Sequence, residues 1–329
     1  MRRTAPALAL FFLSPLVAEF LLGDFTVTML PVLFLLAPMY GGGALVIREV
    51  TRRTGRGWPT IALLALAFGV LEEGLTTQSL FNPDYADAHL LDRGFVPALG
   101  IAIPWTIFVL ALHTVWSMSV PIALVEESTL RRTVPWLGTR GLVVGCVLLA
   151  LGAVATTLTT YDMNRFIAPW SRLAAVVVVV IALVAAAFLV PRAAPARLGV
   201  APGPWVVLGV VLAGGVLFMG VADILPTWLG VAAMLVALGG VAAAIVGWSG
   251  RAGWGGPQRL AAAAGGLLTY AWHSFTTEPL AGGGPVMTPV SHTIFALAAV
   301  ALLLWEARRV CQPAVLVAAG QYGGRAERS

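Results

Sequence analysis

Ten apolar runs, each about as long as a bilayer is thick, follow one another along a chain of 329 residues. A hydrocarbon core of ~30 Å takes about 20 helical residues to cross. The runs are Ala7–Leu22, Val27–Ile47, Pro59–Phe81, Ala98–Val125, Gly141–Thr160, Ser171–Val190, Pro204–Ala222, Thr227–Trp248, Leu260–Thr277 and Ser291–Ala307. They are continuous rather than alternating with period two, which specifies helices and not barrel strands. Only 11% of residues are charged, against about 25% in soluble domains, so an ordinary water-soluble enzyme is excluded. The expected fold class is all-α: a polytopic transmembrane helix bundle of about ten spans with both termini cytoplasmic.

The side assignment comes from arginine, since all 20 basic residues are Arg and none is Lys. With the N-terminus inside, seventeen of the twenty fall in inner segments and three (Arg93, Arg165 and Arg172) in outer ones. Such a bias sets orientation, and one span too many or too few would abolish it. Localisation is therefore expected in the plasma (inner) membrane. The basic loop Arg48–Arg56 suits anionic membrane lipids, and no nucleic-acid partner is expected. The first run, preceded by two Arg, has the outline of a signal peptide; it lacks a small-x-small cleavage site and is expected to be retained. Residues 1–310 form one membrane domain: a polar-motif half at 1–127, a bland helical half at 141–250 and closing spans at 260–307. Residues 311–329 form a cytoplasmic tail. Cys146 and Cys311 stand too far apart in this architecture to imply a disulfide, and no Cys/His cluster suggests structural zinc.

Chemistry concentrates in the polar half. Leu71-Glu72-Glu73-Gly74 places two carboxylates deep in the third run, where an ionised group costs at least ~2.5 kcal/mol. Neighbours on a helix point about 100° apart, so the two are expected to face different surroundings. They are candidates for a general acid/base or metal-ligand pair, or for a polar lock between helices. His113 lies near mid-membrane in the fourth run, with Ser117 one turn on. Glu19, His273 and His292 occupy a similar depth, as one outward-opening pocket requires, although His292 at the mouth of the last run reads as a solvated group. Gln78 and Asn82 continue the polar stretch beyond Glu73. Arg48 and Glu49 read as an interfacial pair with the basic loop, and Glu126 and Glu127 as partners of Arg131 and Arg132. Gly41-Gly42-Gly43 suits a hinge, a close-packing site or a substrate groove.

The Glu72-Glu73 pair followed by intramembrane His113 resembles the CAAX-protease and bacteriocin-processing superfamily of intramembrane proteases. Members share Glu-Glu-x-x-x-Arg, Phe-x-x-x-His and His-x-x-x-Asn motifs. Here Thr77 stands at the Arg position, Phe108 precedes His113 by five residues instead of four, and His273 with Thr277 takes the last motif's place. The segments Ser14–Glu19, Tyr40–Gly43 and Ser79–Pro83 resemble those of uncharacterised actinobacterial multi-span membrane proteins. The coincidence of rare ionisable groups in the outer half of the bundle motivates the leading reading, a membrane-embedded hydrolase: Glu72, Glu73 and His113 catalytic, His113 and His273 holding a divalent metal such as zinc, and Glu19, Gln78, Asn82 and His273 binding substrate. Without the metal, the same groups act directly as acid and base. Two further readings stay open: a proton- or cation-coupled transporter or lipid/small-molecule-binding protein, and a non-catalytic accessory protein.

Overall fold

The computed structural model describes residues 4–129, 131–192, 196–221 and 224–311. Ten long helices follow in the expected order: α1 (Thr4–Leu21), α2 (Val27–Arg53), α3 (Trp58–Thr76), α4 (Ile103–Glu127), α5 (Thr139–Asn164), α6 (Trp170–Leu189), α7 (Pro204–Val221), α8 (Thr227–Ser249), α9 (Gly256–His273) and α10 (Met287–Cys311). All but α9 are long and apolar enough to cross a membrane. Helix α9 runs the height of the others: its first turn lies beside Glu127 and Val310, and the residue after its last turn, Ser274, touches Gly23. Most of it is buried. Protein rather than lipid surrounds it, so small residues such as Gly265 and Gly266 serve it better than bulk apolarity.

Packing follows polarity. Helix α9 lies against α7, α10 and the second half of α4, while α3 packs on α6 and on mid-α4, and α2 on α1 and α5. Helices α5 and α6 expose most of their side chains, as lipid-facing helices do. The bland stretch therefore forms the outer layer around the polar half.

Two ends differ from the sequence expectation. Helix α3 stops at Thr76, not Phe81, because Gln78 takes φ 55° and breaks the winding. The fourth run starts at Ile103, not Ala98: Phe95–Val96 pairs antiparallel with Ile101–Ala102 around a turn in which Gly100 takes φ 68°, and Pro104 then sits in the first helical turn.

Prolines set how the inner helices meet. Pro121 has no N–H to offer the Ser117 carbonyl, which accepts the Ser14 hydroxyl at 2.7 Å instead. Pro15 likewise gives nothing to the Phe11 carbonyl, and Gly41 of α2 packs against that oxygen so closely that a Cβ would stand 2.0 Å away. The glycine triplet is thus a close-packing site.

At the Glu127 end, arginines bind the helices together. Arg48 is 0% exposed. It donates to Glu49 at 2.5 Å, to Glu126 at 3.0 Å and to the carbonyls of Arg132 and Val134, and lies 3.5 Å over the Trp136 ring. Arg52 donates twice to Glu126, at 2.8 and 2.6 Å. The Arg48–Glu49 pair is buried in protein at this end of the bundle. One expectation is corrected. Glu126 belongs to Arg48 and Arg52, while Glu127 takes Arg132 at 3.2 Å and Arg259 at 2.5 Å. The expected tail lies, past Cys311, outside the described residues.

Candidate functional site

Among the described residues three helices widen into π winding, each at a buried or half-buried ionisable group. Leu16–Leu21, Glu72–Thr76 and Leu112–Ser119 are π-helical and carry Glu19, the Glu72–Glu73 pair and His113. Such widened turns recur at functional sites. Local hydroxyls stabilise them. The Glu72 carbonyl accepts the Thr77 N–H at 2.9 Å and the hydroxyls of Thr76 and Thr77 at 2.6 and 3.1 Å. In α4, Ser119 donates to the Thr114 carbonyl five residues back.

More residues per turn means a smaller angle between neighbours, so Glu72 and Glu73 both reach one ring. His113 Nε2 lies 2.7 Å from Glu73 Oε1, and Nδ1 lies 3.0 Å from Glu72 Oε2. The expectation that the two carboxylates face different surroundings is corrected: they flank the same imidazole. All three are buried, at 2% for Glu72, 6% for Glu73 and 7% for His113. Both nitrogens donate only as imidazolium; a neutral ring needs the second proton on one carboxyl. The centre is thus built to hold a proton among three groups.

Its two carboxylates are not equivalent. Glu73 also accepts from Thr77 at 3.0 Å and from Ser79, whose hydroxyl receives the Trp105 indole N–H at 3.2 Å. Glu72 Oε2 has no well-aligned hydrogen bond despite its closeness to the ring. Ser117 Oγ stands 3.3 Å from His113 Nδ1. From α2, Tyr40 stacks on His113 with centroids 6.0 Å apart and donates its hydroxyl to Glu19. Glu19 thereby joins the centre's border.

Other groups border it from the loops. Burial, reinforced by the charge of Glu19, holds the Asp24 carboxyl well above the usual carboxylate range. Burial also pushes the Tyr85 phenol up, with Glu73 next in effect, which puts this loop residue within electrostatic range of the centre. Four non-glycine residues of the segment after α3 take positive φ: Gln78 beside the centre, and Ala86, Asp87 and His89 in the exposed loop beyond it. Backbone held in that region concentrates at functional sites.

The remaining candidates lie elsewhere. His273 ends α9, its Nδ1 3.2 Å from the Thr276 hydroxyl and its ring edge-on to Trp272. Gln78 accepts the Ala168 N–H at 2.7 Å, and Asn82 accepts that of Asp84 at 3.1 Å; both shape the loop above the centre. His292 does not reach the surface as a mouth residue would, being 2% exposed and packed beside Gly23 and Phe275.

One donor atom each from Glu72, Glu73 and His113 lies within 4.8 Å of the others, which suits a divalent ion by donor type. The arrangement fits one poorly. The carboxylates face opposite ring nitrogens at hydrogen-bond distances, so an ion on either nitrogen would have one of them as co-ligand and the other behind the ring. Catalytic zinc takes three protein ligands, and His273 is not in the group.

Comparison with known proteins agrees with the architecture. A family model described as an uncharacterized membrane protein family matches residues 8–320. The chain belongs to that family. With nine helices among the described residues long and apolar enough to cross a membrane, it is a multi-pass membrane protein in contact with lipid. No curated protein and no solved structure matches it.

Sequence reasoning did not single out Tyr40, Asp24, Tyr85 or Tyr270. With only five Tyr in the chain, a tyrosine inside an apolar run was the available signal for Tyr40 and Tyr270, since its hydroxyl needs a polar partner.

Proposed function

We propose that Glu72, His113 and Glu73 form the acid–base centre of an intramembrane hydrolase. The observation that carries this reading is the imidazole held between two buried carboxylates by widened turns of separate helices. Glu73, engaged by Thr77, Ser79 and His113, positions the ring. Glu72, with an oxygen lacking an aligned partner, is the base that draws a proton from water. His113 accepts that proton and returns it to the leaving group. No metal is needed for these steps.

The substrate side is apolar. A groove between α3 and α5, lined by Leu71, Leu75, Thr76, Ala153, Thr157 and Leu158, runs along the outside of the turn that carries Glu72. Its lining suits an acyl chain or an apolar peptide segment. Glu19 is the polar contact for substrate, and Gln78 and Asn82 hold the loop that covers it. We place both termini on the cytoplasmic face of the plasma membrane, because Arg48, Arg52, Arg132 and Arg259 share one end of the bundle.

The test is hydrolysis by the protein in liposomes, against a panel of fluorogenic lipid esters and apolar membrane-spanning peptides. Product release is expected from the wild type and its loss from E72Q and H113A. A folded H113A that turns over at the wild-type rate overturns the reading. Proton-coupled transport is the second reading, favoured by the file of ionisable groups from Asp24 through Glu19 and Tyr40 to His113. Substrate-driven proton uptake without product release would select it.

A further inference from the structure

Hydrolysis inside a bundle needs a route for water, and the structure carries one set of groups that calls for it. Around Gly23 and Asp24, at the end of the bundle opposite the arginine cluster, buried polar atoms have no protein partner. Tyr270 of α9 is 0% exposed, and its hydroxyl, unbonded, lies within electrostatic range of Asp24 and Glu19. His292 of α10 is buried, and its Nε2 is likewise unbonded. Gly23 keeps this spot open: a Cβ there would stand 3.1 Å from His292 Nε2 and 3.3 Å from Ser274. Asp24 follows directly, a half-buried residue whose carboxyl is drawn away from water.

We infer that Asp24, Tyr270 and His292 line a hydrated chamber that supplies water to the Glu72–His113–Glu73 centre. Buried water sits where two to four polar groups converge, and removing it is costly. Here a hydroxyl, an imidazole nitrogen and a carboxylate are the partners. The chamber leads inward, because Glu19 lies one turn before Gly23 on α1 and accepts the Tyr40 hydroxyl, whose ring lies on His113. Tyr85 from the loop after α3 stands within electrostatic range of Asp24 and Glu19 as well. The inference deepens the hydrolase reading and rests on it for the use of the water, not for its presence.

Hydroxyl-radical footprinting by X-ray radiolysis of the full chain in nanodiscs tests this, since radicals formed from a trapped water oxidise the side chains that touch it. Phe218 is the internal control: it is 1% exposed, and its ring packs on Trp116, the residue on which Tyr270 also stacks. After correction for intrinsic reactivity, Tyr270 and Tyr40 are expected to be oxidised several-fold faster than Phe218. Asp24→Leu is expected to slow both without changing the exposed Tyr161. Tyr270 reacting no faster than Phe218, or labelling indifferent to Asp24→Leu, overturns the inference. The readout does not depend on turnover. A dry Tyr270 in a protein whose hydrolysis requires His113 removes the water route and leaves the centre; a wet Tyr270 without hydrolysis does the reverse.

Discussion

Glu73 Oε1 stands 2.7 Å from His113 Nε2, the shorter of the ring's two carboxylate contacts. That carboxylate is itself fixed by Thr77 and Ser79, whereas Glu72 reaches Nδ1 at 3.0 Å with Tyr40 of α2 as its hydroxyl neighbour. The two nitrogens therefore report on different residues. In protein labelled with ¹⁵N-histidine, E73Q is expected to move the Nε2 resonance of His113 and E72Q the Nδ1 resonance. A single common response in both variants would mean that the ring does not sit between them.

Removing one partner from the arginine cluster leaves a buried charge uncompensated. Glu126 takes both Arg48 and Arg52, so E126Q is expected to cost ~3–5 kcal/mol, seen as a lower Tm in detergent. R48K should also lower Tm. A lysine cannot serve Glu49, Glu126, two carbonyls and the Trp136 ring at once, for want of the planar fork. Unchanged unfolding in both variants would contradict the packing described.

Asp24 gives the fold a pH dependence of defined sign. Burial, with Glu19 adding, favours its protonated form in the folded chain. Folded protein then binds more protons than unfolded chain above the ordinary carboxylate range, about pH 4. The contribution of Asp24 is full below that pH and declines as pH rises toward its raised value. D24N should remove this decline, so that its Tm exceeds that of the wild type by a margin that grows with pH. A margin that is flat or shrinks with pH would refute the assignment. Glu19, His113, Tyr270 and His292 face the same region and stay unchanged in both proteins.

Gly41→Ala tests the contact between α1 and α2. The added methyl would meet the Phe11 carbonyl, a backbone atom that cannot swing aside. Overpacking of this kind costs ~1–3 kcal/mol, so lower Tm and lower yield of folded protein are expected. Gly239→Ala, where a Cβ meets nothing within 4 Å, is the neutral comparison.

What could be read in the sequence divides by distance along the chain. Helix number and order were legible because crossing a bilayer imposes a length, and each run satisfies it independently of its neighbours. The failures were local or long-range. The early end of α3 follows from one residue, Gln78, entering the left-handed region, which no periodicity reveals. At the centre, the Glu72–Glu73 pair and His113 stood out because ionisable groups are rare in apolar runs. The contact of both carboxylates with one ring did not, since a 100° spacing assumes regular winding. The misassigned Glu126 illustrates the other limit: Arg131 and Arg132 are nearer in sequence, but the partners arrive from α2, 74 and 78 residues away. His273, chosen by motif position and depth, ends α9 with its Nδ1 on the Thr276 hydroxyl, outside the Glu72–Glu73–His113 group.

The widened turns tie the centre to chain length as much as to side-chain identity. Excising a single residue such as Gly74 from the Glu72–Thr76 turn would return the end of α3 to regular winding, with neighbouring side chains again about 100° apart. Every ionisable group could survive in the gene while the constellation came apart. In this bundle a one-codon deletion is a sharper eraser than most point changes, and homologues that share the residues but not the extra ones in these turns would share the membrane fold without the centre.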